Sequence, residues 1–106
     1  MSKKLHHIVL IQFKETIRSK EFKRIEDGAV TLRDIEGVND LIFRENVSPE
    51  KLNKEYSHCL SLWFANEQDR DEVYLPHPIH QKFVGLFVPF TENVLAVSYT
   101  HLTLPT

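Results

Sequence analysis

Apolar residues along this chain switch between a two-residue and a three-to-four-residue period. In residues 5–14 the odd positions carry Leu5, His7, Val9, Ile11 and Phe13, and the even positions His6, Ile8, Leu10 and Gln12. Alternate strand residues face opposite sides, so this strand is apolar on both faces through its middle and both must be covered. Residues 19–34 place Phe22, Ile25, Ala29 and Leu32 on one stripe of a helix. Ser19 is the expected N-cap, and Gly37 is the expected stop signal. Gly28 inside this helix costs about 1 kcal/mol relative to Ala. Residues 38–47 read as a second strand, with Leu41, Phe43 and Val47 on one side and Ile42 on the other. The loop signature Asn46-Val47-Ser48-Pro49-Glu50 ends it. Residues 56–65 read as a third strand, with Tyr56, His58, Leu60, Leu62 and Phe64 on one face and Cys59, Ser61, Trp63 and Ala65 on the other.

Asn66 is placed to cap a second helix, with Asp69 three residues on. The acidic run that follows suits a helix N-terminus. Pro76 and Pro78 interrupt this helix, and Pro78 suits the first position of a new helical piece carrying Phe83, Val84, Phe87 and Val88. Residues 93–99 form the last strand. The order strand, helix, strand, strand, helix, strand is the ferredoxin-like α+β pattern, βαββαβ. It implies a four-stranded, antiparallel-rich sheet with two helices on one face. The other face would present Ile8, Leu10, Cys59 and Trp63, an apolar patch of the kind that marks an interaction surface. A homodimer packed sheet against sheet, on a two-fold axis, is the expected cover.

The 106 residues make one domain, here residues 1–99. Residues 100–106 read as a foreign or truncated tail, and His101 is given no role. A hydrophobic share of 42% and a charged share of 26% are ordinary for a globular domain. A net charge of −2, without a basic cluster interleaved with aromatics, argues against nucleic acid. The single cysteine, Cys59, cannot form an internal disulfide and reads as a small buried hydrophobe. No apolar run approaches the ~20 residues of a membrane span, and the start does not resemble a signal peptide. The expected location is the cytoplasm.

Chemistry concentrates in Tyr74-Leu75-Pro76-His77-Pro78-Ile79-His80. Histidine titrates nearest neutral pH, and the prolines put His77 and His80 at a bend. The first and third strands are expected to be central, adjacent and parallel, which would bring His7 and His58 to the same end of the sheet. Both share the parity of the aliphatic rows facing the helices. The second helix runs back over that face, so His7, His58, Tyr74 and His80 are expected to converge, with His77 and Phe83 lining the same pocket. Taken singly, each has a plainer role: a His bonded to backbone at a strand start, a packed Tyr ring, a helix-start His. A metal is not expected, because Pro78 restrains His77 and His80 from converging and no Cys or carboxylate completes a set. No phosphate loop, nucleophile elbow or dinucleotide fingerprint is present, so no cofactor is expected.

The segments His7-Ile8-Val9-Leu10-Ile11-Gln12-Phe13-Lys14, Asn46-Val47-Ser48-Pro49-Glu50 and His58-Cys59-Leu60-Ser61-Leu62-Trp63-Phe64, with the Tyr74–His80 run followed by Phe83-Val84, resemble the stress-responsive A/B barrel (Dabb) family. The resemblance spans residues 6–97 and is most specific in the Tyr-x-x-His-Pro-x-His run. It implies a ferredoxin-like subunit that dimerises into an α+β barrel. Some plant members of that family look like stress or defence proteins. One group cyclises linear polyketides by cofactor-free intramolecular aldol chemistry, with a Tyr and a His matching Tyr74 and His80 as the acting pair and residues matching His7 and His58 in the same pocket. Arg44 and Asn53 stand where glycines are common in the family. The chain thus reads as a Dabb-type protein with a hydrophobic, His/Tyr-lined pocket and an unassigned activity; where that pocket is enzymatic, the resemblance implies a small hydrophobic carbonyl ligand, with His80 as general base and Tyr74 as donor to the carbonyl oxygen. A stress protein that binds a small apolar ligand without chemistry, and a cofactor-free monooxygenase or haem-handling protein, are the alternatives.

Overall fold

The computed structural model describes residues 4–49 and 55–101. Asn53, Glu50 and residues 102–106 lie outside the described residues. Strand β1 (Lys4–Phe13) is followed by helix α1 (Ser19–Thr31), strands β2 (Asn39–Glu45) and β3 (His58–Phe64), helix α2 (Pro78–Phe87) and strand β4 (Thr91–His101). Short helical turns extend α1 over Leu32–Asp34, precede α2 over Asp69–Tyr74 and follow it over Val88–Phe90. The sheet order is β2-β3-β1-β4, with the two helices over one face, so the α+β ferredoxin-like fold expected from the element order is the one adopted.

Strand direction is where the expectation fails. β1 and β3 are central and adjacent, but they run antiparallel, with His7 opposite Leu62 and Ile11 opposite His58. β2 also pairs antiparallel with β3. The reason lies in the connections. The hairpin-like link from β2 reverses β3, whereas the helical crossover makes β1 and β2 parallel with β3 between them. β4 pairs with β1 along its length, from Thr91 opposite Phe13 to His101 opposite Lys4.

The apolar stripe of α1 packs as its spacing requires: Ile25, Ala29 and Leu32 are excluded from solvent, against Leu5, Val9, Ile11, Leu60, Leu62 and Phe64 of the sheet. The N-cap is Arg18 rather than Ser19. The extended backbone of Arg18 precedes the helix, and its N–H donates to the Glu21 carboxylate at 2.9 Å. The Glu21 carboxylate, three residues on, thus satisfies the N–H of the cap residue itself. Gly28 is explained by α2. A Cβ there would stand 2.9 Å from Leu86 Cδ2 and 3.3 Å from Phe83 Cδ1, so its absence lets the two helices approach. Asn66 Oδ1 accepts from the Asp69 N–H at 2.8 Å, the expected cap.

Opposite the helices, cross-strand pairs put His6, Ile8, Leu10 and Gln12 beside Cys59, Ser61 and Trp63 on one side and Asn93, Leu95, Val97 and Tyr99 on the other. Ile42 and Leu95 remain 41% and 44% exposed there. Among the described residues no helix is long and apolar enough to cross a membrane.

Gly37 has φ +92°, a left-handed conformation in which a Cβ is strained. Gly37→Ala is expected to lower unfolding stability by about 1 kcal/mol, read as a reduced urea midpoint at unchanged slope.

Candidate functional site

The site grows out of a faulty stretch of helix. Over Asp69–Tyr74 the chain winds as a π-turn, closed by the Leu75 N–H donating to the Arg70 carbonyl at 2.9 Å. Such wider turns are uncommon and occur often at functional sites. Pro76 and Pro78 have no N–H to continue the ladder, so α2 starts afresh at Pro78. His77 is its N-cap: Nδ1 accepts from the Ile79 N–H at 3.1 Å. The break turns Tyr74 inward, where it is 1% exposed.

Around that ring three of the expected residues meet. The Tyr74 and His80 ring centroids are 4.4 Å apart, and those of Tyr74 and His7 are 6.0 Å apart. Phe64 closes the group at 5.0 Å from Tyr74 and 6.2 Å from His7. His7 reaches it from the central strand β1, with the parity expected of it. His58 does not join. Antiparallel pairing sets it opposite Ile11, four residues along β1 from His7, which is roughly 14 Å at strand rise. It packs instead among Phe22, Phe13 and Phe43 at centroid distances of 5.0, 5.2 and 5.7 Å. His77 is held by its capping bond. Phe83 is a core residue stacked on Phe87 at 4.7 Å, and it also lines a cavity formed by residues of α1 and α2.

The hydrogen bonds define the protonation pattern. Leu75's carbonyl accepts from His80 Nδ1–H at 2.9 Å and from Gln81 Nε2 at 2.7 Å. A neutral His80 that donates from Nδ1 carries its lone pair on Nε2. Burial lowers the His80 pKa, and the bond to Leu75 opposes the shift. His7 is pushed down to about 4, by burial first and then by the positive charge of Arg70 and the other imidazoles, His80 and His6. Its Nδ1 shares a 2.7 Å hydrogen bond with the Ser98 hydroxyl. Burial raises the Tyr74 pKa. Among the described residues no group hydrogen-bonds the Tyr74 hydroxyl. At neutral pH the arrangement therefore offers two uncharged imidazoles and one protonated phenol, a base beside a hydrogen-bond donor.

Ser98, Phe64 and Arg70 escaped the sequence reading. The signal for Ser98 was its position on the last strand, which had to pair with β1 and could bring a short hydroxyl beside His7. Arg70 lay within an acidic run and gave no sign of acting on β1. Among the described residues no group of three or more His, Cys, Asp or Glu is arranged to hold a metal ion.

Known proteins resemble this chain in sequence or in fold. Olivetolic acid cyclase of Cannabis sativa is 23% identical over 95 residues, 89% of this chain and 93% of that protein. The solved hydroxynitrile lyase of Passiflora edulis superposes with a TM-score of 0.86 at 17% identity, covering 99% of this chain and 100% of the other. A dimeric ferredoxin-like protein of Thermobifida fusca superposes with a TM-score of 0.78 at 17% identity, covering 93% of this chain and 92% of the other. The Stress responsive A/B Barrel Domain matches residues 5–101. With nearly all of the described strands and helices inside that match, the chain belongs to the stress responsive A/B barrel domain family.

Proposed function

We propose that this protein is a cofactor-independent acid–base enzyme acting on a small hydrophobic carbonyl compound, with His80 as general base and Tyr74 as donor to the carbonyl oxygen. The observation that carries the reading is the 2.9 Å bond from His80 Nδ1 to the Leu75 carbonyl, which leaves Nε2 as the basic nitrogen beside the Tyr74 ring. His80 Nε2 removes a proton from the carbon next to the carbonyl. The freed electron pair moves to the carbonyl oxygen, where the Tyr74 O–H stabilises the developing charge. The enolate carbon then attacks a second carbonyl in the same molecule, forming a C–C bond, and the new alkoxide takes its proton from Nε2–H of His80. His7, kept neutral by its surroundings and tied to Ser98, and Phe64 form an uncharged wall that suits an apolar substrate. The names of a cyclase and a lyase among the relatives are consistent with carbonyl chemistry on this fold.

We infer further that two copies pack through the open sheet face. Ile8, Leu10, Cys59, Trp63, Leu95 and Val97 share that face, an apolar area that water would otherwise cover, and a structural relative is dimeric. This cover leaves the helix side free for substrate.

His80→Ala should lower ring closure of a linear β-polyketide thioester by about 100- to 10,000-fold, and Tyr74→Phe by roughly 100-fold. The same variants should slow exchange of the substrate's α-protons for deuterium, followed by NMR. Wild-type exchange rates in His80→Ala remove the proposal. Activity should rise with pH through a pKa below 6.5 and stay level above neutrality, because burial lowers the pKa of His80. Stability should follow the same sense. His7 is neutral in the fold down to about 4, whereas the unfolded chain takes its proton near 6.5. The unfolded state thus binds more protons between those values, and stability falls as pH drops through that window. His7→Asn should flatten that part of the curve. In sedimentation at micromolar concentration the protein should run as a dimer and Leu10→Glu as a monomer; a monomeric wild type would overturn the sheet-face packing.

A further inference from the structure

The opposite end of the helix-covered face holds a second set of rings that the acid–base site does not use. Phe22, Phe43 and His58 stand with centroids 5.0 to 6.0 Å apart, and all three are only partly buried. Beside them lies a cavity of about 260 Å³, lined by these rings together with Glu26, Arg44 and Glu45. Its size is just below the roughly 300 Å³ at which small-ligand pockets begin, so it suits a compact molecule rather than a polyketide. Aromatic faces attract cations through their quadrupole, and carboxylates add a net attraction of the same sign.

The two carboxylates are available. Glu45 has no Lys or Arg partner among the described residues. Glu26 has only Lys23 at 3.8 Å, and that ammonium is nearer Asp27, at 3.0 Å. The one cation on the lining, Arg44, donates to the Phe43 carbonyl at 3.0 Å, so the lining carries two carboxylates against one guanidinium. The negative field reaches the rings: burial lowers the His58 pKa, while Glu45 and then Glu26 pull it upward. The His58 ring is itself held by a 2.8 Å hydrogen bond between Nδ1 and the Ser57 hydroxyl.

We propose that this cavity is a binding site for a small organic cation of the quaternary or alkylammonium class, seated against Phe22, Phe43 and His58 and neutralised by Glu26 and Glu45. The site stands apart from Tyr74 and His80 and does not depend on their chemistry.

The test is a titration of the full chain with choline, followed by amide NMR at pH 7.5 and low salt, with the neutral tert-butyl isostere of choline as control. Shifts should concentrate in residues 22–26, 43–45 and 57–58. Choline should bind at least about fivefold more tightly than the isostere, and less tightly as salt is added. Glu45→Gln, a substitution at an exposed position, should weaken binding several-fold. Phe43→Ala should weaken it at least about tenfold, and Arg44→Gln should tighten it. His80→Ala should bind choline as the wild type does, which separates this site from the catalytic proposal. Equal affinity for choline and the isostere, shifts scattered over the surface, or no response to Glu45→Gln would overturn the inference.

Discussion

The structure depends on β1 being hydrogen-bonded along both edges and apolar on both faces. Pairing with β3 on one side and β4 on the other satisfies its backbone groups, which an interior strand must do because buried donors and acceptors are costly when unpaired. Its odd side chains, Leu5, Val9 and Ile11, then anchor the core beneath the helices, and its even ones, Ile8 and Leu10, emerge on the opposite face. From this one strand follow both surfaces of the protein: a helix-covered side that encloses polar groups among apolar ones, and an open side suited to a second copy.

The helix-covered side is divided into two chemistries by strand direction. At the end where β1 begins, His7 meets Tyr74 and His80, and Arg70, His80 and His6 add to the fall that burial causes in the His7 pKa. At the end where β3 begins, His58 sits among three phenylalanines with carboxylates beyond them. Burial lowers the pKa of both histidines, but their neighbours act in opposite senses: positive charge adds to the fall at His7, and negative charge resists it at His58. The same residue type thus stands in different electrostatic surroundings at the two ends of one sheet.

The π-turn and the prolines show how a local defect is turned to use. A regular helix through residues 69–87 would carry Tyr74 and His80 on faces set by a single period. The π-turn over Asp69–Tyr74, the two missing N–H groups and the restart at Pro78 instead free the Leu75 carbonyl to orient the imidazole of His80. His77, the most conspicuous neighbour in the sequence, is used to hold the new helix start, and the tie fixes the bend that the other two residues need.

What the sequence by itself determined was local and periodic. The two-residue alternation of β1 and β3 identified the faces, as the burial of Val9, Ile11, Leu60 and Leu62 bears out. The stripe Ile25, Ala29, Leu32 identified the buried side of α1, and Pro76 and Pro78 located the break. These are properties of neighbours along the chain, set by backbone sterics and hydrophobic spacing. Only the tertiary structure decided which residues meet across strands. Parity told which way His58 points but not at which end it stands, because direction is a property of the connections and not of the strand's own residues. Ser98 reached His7 across 91 positions of sequence through pairing that no local pattern encodes, and Gly28 made sense only once Leu86 and Phe83 lay against it.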